Sequence, residues 1–421
     1  MTKFKHMPII SEKIIERPIL KELAKYLKTD DILVVHGARQ VGKTYILYSL
    51  KEYLTKQKQQ VIYFDLEDSR FKSLLDNGAE EFIKYLAEQG FSDNSLSRGQ
   101  KIFVLIDEIQ YLDNPSSFLK LMVDHHKNFK LIVSGSSSFA IKSKFKDSLV
   151  GRTINFEIFP LSFEEFLNFK GYAYHAEILA SRQLTAPKQS ELFNLFREYI
   201  LYGGYPKIVL ASDLRLKEKY LQQIIDTYIR KDIKDLAKIK ETDKFNKLVE
   251  VLAAQSGNLL AVTELSNTCK LSKQTVEHYL FILENTYVIK LVKPYYKNIR
   301  SELFKTAKIF FYDSGLMQML WLKQLQKEII GTALETAVFS ELIKKYHQDN
   351  VFYWRTTDGK EIDFIVKKKN QIMPLEVKLN TNQFHKTALD YFTRKYKITA
   401  YQVTGLSGDF SSAHVIYPWS A

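Results

Sequence analysis

The chain has almost no cysteine: one, Cys269, in 421 residues. A single thiol excludes an internal disulfide and a cysteine-rich zinc site, and it fits a reducing, cytoplasmic compartment. Glycine and proline are also sparse, at 16 and 9, which argues against long linkers and low-complexity segments. No run of 18 apolar residues is present, so neither a membrane span nor a membrane partner is expected. The first residues, MTKFKHMPIISEK, lack the apolar core and small-residue cleavage site of a secretory signal, and export is not expected. Negative charge is the minority sign: 48 Asp+Glu against 61 Lys+Arg leave a formal net charge of +13. That excess points to an anionic partner without naming one. Apolar sequence, by contrast, is plentiful. At 45% hydrophobic residues the chain can offset its conformational entropy by burial, and its length suits two to four domains.

The first 160 residues alternate apolar runs with amphipathic stretches. Residues 31–36, 61–65, 102–106 and 131–134 read as buried strands, and Thr153 to Ile158 as a fifth. Near-continuous apolar strands separated by 20 or more residues imply a parallel sheet covered on both faces. Residues 43–58, 70–89 and 115–127 have helical spacing and supply the crossovers. From about 160 to 250 apolar residues recur at three- and four-residue spacing, interrupted by the turn Tyr202-Gly203-Gly204-Tyr205-Pro206. The expected domains are 1–160, 161–245, 246–330 and 331–421.

Gly37-Ala38-Arg39-Gln40-Val41-Gly42-Lys43-Thr44 has the pattern G-x-x-x-x-G-K-[ST]. Backbone N–H groups wrapped around phosphate oxygens need glycines for close approach and a helix N-terminus for its dipole. Lys43 is expected at the β- and γ-phosphates and the Thr44 hydroxyl on Mg²⁺. The third apolar run ends in Asp107-Glu108. Asp107 is expected to hold Mg²⁺, and Glu108 to polarise the attacking water of ATP. The fourth run ends in Ser134-Gly135-Ser136-Ser137-Ser138, where Ser134 is either a γ-phosphate sensor or part of a Ser-rich turn. Arg152, just before the fifth strand, is either a surface charge or a candidate arginine finger, the latter in its own chain or across the boundary of a homo-oligomer.

With Gly151-Arg152 and the segment Phe159-Pro160-Leu161-Ser162-Phe163-Glu164-Glu165-Phe166, these motifs resemble AAA-type ATPases. More narrowly they resemble the prokaryotic subgroup whose C-terminal half is a domain of unknown function. The Tyr202–Pro206 turn and Arg230-Lys231-Asp232-Ile233 extend the resemblance over nearly the whole chain. It implies a five-stranded P-loop core, a helical connector, a winged helix and a nuclease-like end.

Residues 259–283 have a helix-turn-helix pattern, with Ser272 as an N-cap and Lys273, Gln274 and His278 on the exposed face of the second helix. Residues 288–292 and 309–312 are expected to form a wing. Six Lys/Arg against one Glu between Lys290 and Lys308 suit contact with a nucleic-acid backbone, DNA in preference to RNA. A winged helix serves equally as a protein-docking unit, and Cys269 reads as packing. Further on, Glu361 to Val366 is an acid-bearing strand, followed after a short turn by Glu376-Val377-Lys378. Residues two apart on a strand share a face, so Glu376 and Lys378 project together, and the hairpin brings Asp363 beside them. Glu335, on a preceding helix, can face the same point, and Trp354-Arg355 and Thr356-Thr357 add stacking and polar groups. Hard oxygens on Asp363, Glu376 and Glu335 suit Mg²⁺, with Lys378 positioning a nucleophile. This order resembles the PD-(D/E)XK nuclease fold.

The fold class is therefore α/β: a parallel-sheet P-loop core, a helical connector, a winged helix and a C-terminal α/β nuclease-like domain. Two functions stay open. In one, ATP binding and hydrolysis are coupled to a DNA-directed module, a metal-dependent nuclease. In the other, the chain is a nucleotide-dependent switch or assembly factor whose winged helix and inactive nuclease-like fold dock proteins. A replication-initiator-like loader leaves residues 331–421 unexplained.

Overall fold

Five apolar strands pair into one sheet in the N-terminal part of the chain: β1 (Ile32–Gly37), β2 (Gln60–Asp65), β3 (Ile102–Asp107), β4 (Phe129–Gly135) and β5 (Thr153–Ile158), in the order β2-β3-β4-β1-β5. The pairings of β2 with β3, β3 with β4 and β4 with β1 are parallel. At the edge, Ile32 N donates to Arg152 O and Gly37 lies against Ile158, so β5 also runs parallel to β1. Strands β1, β3 and β4 are buried at every position, as expected of parallel strands covered on both faces. Helices α1 (Ile19–Ala24), α2 (Lys43–Lys56), α3 (Ser69–Asp76), α4 (Ala79–Glu88) and α5 (Pro115–His125) complete this part. The stretch 70–89, expected as one helix, is two. Asn77 closes the first, and Gly78, at φ 108°, starts the second at a new angle. Phe64, Phe82, Leu86, Ile106 and Phe118 form the core between these helices and the sheet.

The structure is a computed structural model that describes residues 14–92, 100–135, 149, 151–172, 174, 178–179, 181, 184–296, 306–369, 371–398 and 400–421. Ser136 to Ser138 of the strand end, and the central residues 297–305 of the expected wing, lie outside the described residues. The chain forms two compact units. One holds most of residues 14–157, the other Ile158–Ala421 together with the short stretch Gly37–Val41. Among the described residues no helix is long and apolar enough to cross a membrane.

The second unit begins with α6 (Phe163–Phe169), opened by a capping box between Ser162 and Glu165. Then come α7 (Ala186–Tyr202), α8 (Pro206–Leu210) and α9 (Leu214–Ile224), the last continuing into a π-helix, Ile225–Ile233. Helices α10 (Thr242–Ala254), α11 (Val262–Cys269) and α12 (Lys273–Asn285) lead into an antiparallel pair, β6 (Ile289–Val292) and β7 (Lys308–Phe311). Ser272 caps α12 by accepting from Thr275 N. Cys269 is buried, 1% exposed. After α13 (Ser314–Leu322) and α14 (Gly331–Tyr346) a second five-stranded sheet forms, in the order β12-β11-β10-β9-β8. Its strands are β8 (Val351–Arg355), β9 (Glu361–Lys368), β10 (Gln371–Asn380), β11 (Gln402–Ser407) and β12 (Val415–Ile416), with α15 (Thr387–Tyr396) between β10 and β11.

The turn after α7 is locked by one buried carboxylate. Asp313 accepts from Gly204 N at 2.7 Å and, as N-cap of α13, from Leu316 N at 2.8 Å. A Cβ on Gly203 would stand 2.1 Å from Asp313 Oδ1, so only glycine fits there. Burial raises the Asp313 carboxyl above its ordinary value, and the backbone donors partly offset this. Asp313→Asn turns an N–H₂ group toward one of these donors. Equilibrium unfolding should show a loss of about 1–3 kcal/mol, the cost of an unsatisfied buried donor; unchanged stability would contradict this role.

Candidate functional site

The P-loop follows the last residue of β1 and runs into the first turn of α2. Gln40 (φ 63°) and Gly42 (φ 93°) are both left-handed, which turns successive N–H groups inward into an anion-binding nest. A Cβ on Gly37 would meet Ile158 O at 2.0 Å, so the loop can leave the sheet here only through glycine. Ala38, Val41 and Lys43 are buried, and Thr44 is half-buried on the first turn of α2. The residues present fit a nucleotide phosphate group. Arg39 is engaged elsewhere: its guanidinium pairs with Asp232 of the π-helix at 2.5 Å, within the second unit.

Strand β4 lies between the P-loop strand β1 and the acid-bearing strand β3. Asp107, 2% exposed, ends β3 and accepts three hydrogen bonds. Tyr63 OH donates to Oδ2 at 3.0 Å, while the Ser134 hydroxyl and Glu108 N (3.1 Å) donate to Oδ1. Ser134 is fully buried within β4, so it belongs to the strand and not to a turn. Glu108 leaves the strand in a left-handed conformation (φ 55°), and its Oε2 accepts from Gln110.

Arg152 stands at the other end of the same sheet. Its carbonyl accepts from Ile32 at the start of β1, at 2.8 Å, whereas the P-loop follows the end of β1. A six-residue strand spans about 20 Å, beyond the reach of an arginine side chain. Its guanidinium is held by Asp124, with Nε–Oδ1 2.9 Å and Nη2–Oδ2 3.3 Å. Arg152 therefore does not serve the phosphate site of its own chain, which corrects half of the expectation for it.

In the second unit the hairpin β9–β10 pairs Leu375 with Phe364. Asp363 thereby falls beside Glu376, and its Oδ2 accepts from Val377 N at 2.8 Å. Lys378 Nζ lies 2.6 Å from Glu376 Oε1 and 3.6 Å from Asp363 Oδ2. Lys308, absent from the expected site, joins from β7. Its side chain is 4% exposed, and Nζ lies 2.5 Å from Glu361 and 3.5 Å from Glu335. Burial, and then the Asp363 charge, push the Glu335 carboxyl up to about 8 and that of Glu376 up to about 7. Burial alone lowers the ammonium groups of Lys308 and Lys378, but the surrounding carboxylates outweigh it and hold both above the ordinary lysine value. Glu376 Oε2 is buried without a hydrogen-bond partner, which suits a cation. Even so, among the described residues no three acidic, histidine or cysteine groups stand close enough to hold one metal ion.

Two expectations for this half change. Trp354 is fully buried against Phe392 (5.1 Å between ring centroids) and is core, with no face free for stacking. Lys308 and Lys290 are not free to contact phosphate, because Lys308 is buried among carboxylates and Lys290 pairs with Glu284 at 3.0 Å. Lys273, Gln274 and His278 are exposed on α12 as expected.

Residues 29–167 match an AAA domain. An uncharacterised protein of Haemophilus influenzae is 30% identical over 366 residues, 85% of each chain. The chain belongs with that protein to one family of P-loop AAA ATPases. Beyond the AAA domain, residues 193–328 and 330–419 match two domains of unknown function (DUF8612 and DUF4143). An uncharacterised protein of Methanocaldococcus jannaschii is 26% identical over 380 residues, 86% of this chain and 80% of that one. Among solved structures, the Walker-type ATPase PABY2304 of Pyrococcus abyssi aligns with TM-score 0.46 and 14% identity, over 73% of this chain and 96% of that one. Tyr63 and Lys308 are the site residues that sequence reasoning missed.

Proposed function

We propose that the protein is a cytoplasmic, Mg²⁺-dependent ATPase whose nucleotide state controls a C-terminal, DNA-directed module with a nuclease-like fold. The observation that carries the ATPase reading is the convergence of Ser134, Tyr63 and Glu108 N on Asp107, one strand away from β1 and its P-loop. In this reading the P-loop N–H groups and Lys43 hold the phosphates, Thr44 and Asp107 hold Mg²⁺ directly or through water, and Glu108 orients the attacking water. Arg152 acts as an arginine finger only across the boundary between copies of the chain, so a homo-oligomer is part of the proposal.

The DNA-directed part rests on two features. Helices α11 and α12 with the β6–β7 pair support a winged helix, and its exposed face offers Lys273, Gln274 and His278. Asp363, Glu376 and Lys378 meet across the β9–β10 hairpin in the order of a PD-(D/E)XK site. One observation favours the second reading, a switch that docks proteins: Lys308 and Lys378 already neutralise the acids that a metal would need.

The deciding experiment measures ATP turnover and cleavage of plasmid and linear DNA with Mg²⁺ or Mn²⁺, for wild type, Lys43→Ala and Asp363→Ala. Lys43→Ala should lose ATP turnover and any ATP-dependent change in DNA binding or cleavage. Asp363→Ala should lose cleavage alone. Unaltered ATP turnover in Lys43→Ala would sink the ATPase reading. Absence of cleavage by wild type, with salt-insensitive DNA affinity, would leave the docking switch in its place.

A further inference from the structure

Tyr63 reads in the sequence as an ordinary β-former, and its ring would do that work as phenylalanine. Its hydroxyl does something a phenyl ring cannot. Asp65 of β2 is paired with Asp107 of β3. Tyr63, two residues before Asp65, lies on the same face of the sheet. From there its OH reaches Asp107 Oδ2 at 3.0 Å. Behind it stands Tyr48 of α2, with ring centroids 5.1 Å apart and the two hydroxyls close enough to interact. Tyr48 follows Thr44 by four residues, so the two share a face of α2. A continuous line therefore joins the helix turn that carries Thr44 to the carboxylate of Asp107.

We propose that Tyr63, backed by Tyr48, is a positioning residue that fixes the Asp107 carboxylate toward Thr44 and so sets how tightly a divalent cation joins the bound nucleotide. The inference rests on the ATPase reading above. With the Ser134 hydroxyl on Oδ1 and the Tyr63 hydroxyl on Oδ2, neither carboxylate oxygen can swing away. The carboxylate is then oriented before the cation arrives. Outer partners of this kind are worth about 10–100-fold in metal affinity.

The test uses the full chain and a non-hydrolysable, fluorescent ATP analogue, so no turnover is needed. Affinity is measured in EDTA and then as Mg²⁺ is added, for wild type, Tyr63→Phe and Tyr48→Phe, alongside the thermal midpoint of each. Tyr63→Phe should raise the Mg²⁺ concentration of half-maximal effect about tenfold and leave the metal-free affinity unchanged. Tyr48→Phe should move it in the same direction by less. An unchanged Mg²⁺ requirement in Tyr63→Phe overturns the inference, as does a loss of metal-free affinity together with a fall in the thermal midpoint. If wild type itself shows no nucleotide binding or no Mg²⁺ dependence, the ATPase reading has failed instead, and the two failures are told apart by the wild-type curve.

Discussion

Glu108→Gln should lower kcat for ATP hydrolysis by about 10²–10⁴-fold, the usual contribution of a positioned general base, while nucleotide affinity holds. The two side chains have one shape, so packing around Asp107 is preserved. What is lost is the ability to take a proton from water. Glu108 projects beyond the end of β3 because its backbone adopts φ 55°, which turns the side chain out of the strand's alternation. Its Oε2 accepts from Gln110, a contact that the proposed mechanism exchanges for one with water. Single-turnover hydrolysis and equilibrium binding of an ATP analogue separate the two effects. A variant that still hydrolyses ATP at the wild-type rate would remove Glu108 from the chemistry. Lost binding would mean that the residue supports the site's structure instead.

Lys308→Ala should destabilise the second unit by about 3–5 kcal/mol, the cost of leaving buried carboxylates without their cation. Lys308 is 4% exposed and faces Glu361 at 2.5 Å and Glu335 at 3.5 Å. Burial and the Asp363 charge already push the Glu335 carboxyl up to about 8 with the lysine present, so protonation of Glu335 absorbs part of the loss near neutrality. The sign of the pH dependence follows. An acid whose folded pKa lies above its unfolded value is most compatible with the fold below the unfolded pKa. That stability is lost as pH rises through the folded pKa. The deficit of Lys308→Ala should therefore widen from pH 6 to pH 9. All three tryptophans, Trp321, Trp354 and Trp419, lie in the second unit, so urea unfolding followed by their fluorescence reads this unit alone. The double change Lys308→Met with Glu361→Gln removes the charge from both sides and should recover most of the loss. A deficit that is flat with pH would show that lost packing, and not charge, is responsible.

How much of this was legible beforehand depended on whether the signal was local. The strands of the first sheet were, because burial on both faces leaves near-continuous apolar runs. The P-loop and Asp107-Glu108 were legible for a similar reason: each is a short contiguous segment whose chemistry needs those residue types in that order. Gly78 was a visible breaker that the amphipathic pattern on either side of it outweighed. Tyr63 gave no signal, since its partner Asp107 is 44 residues away and tyrosine in a strand needs no explanation. Lys308 gave a misleading one. Amid Lys293, Lys297, Arg300 and Lys305 it read as part of a basic surface, yet β7 is buried at all four positions. Arg152 was legible only as a residue type, and its place depended on topology. Only the pairing of its carbonyl with Ile32 reveals which end of the sheet it occupies.

Cys269 gives the protein a practical property. It is the sole thiol in the chain, it is 1% exposed, and burial raises its pKa above the ordinary thiol value. A thiol that is both enclosed and protonated reacts slowly with maleimides. The native chain is thus close to silent toward thiol labelling, and any cysteine introduced at an exposed position becomes the one addressable handle. Placed at His278, on the exposed face of α12, a single fluorophore would report directly whether that face meets DNA or a protein.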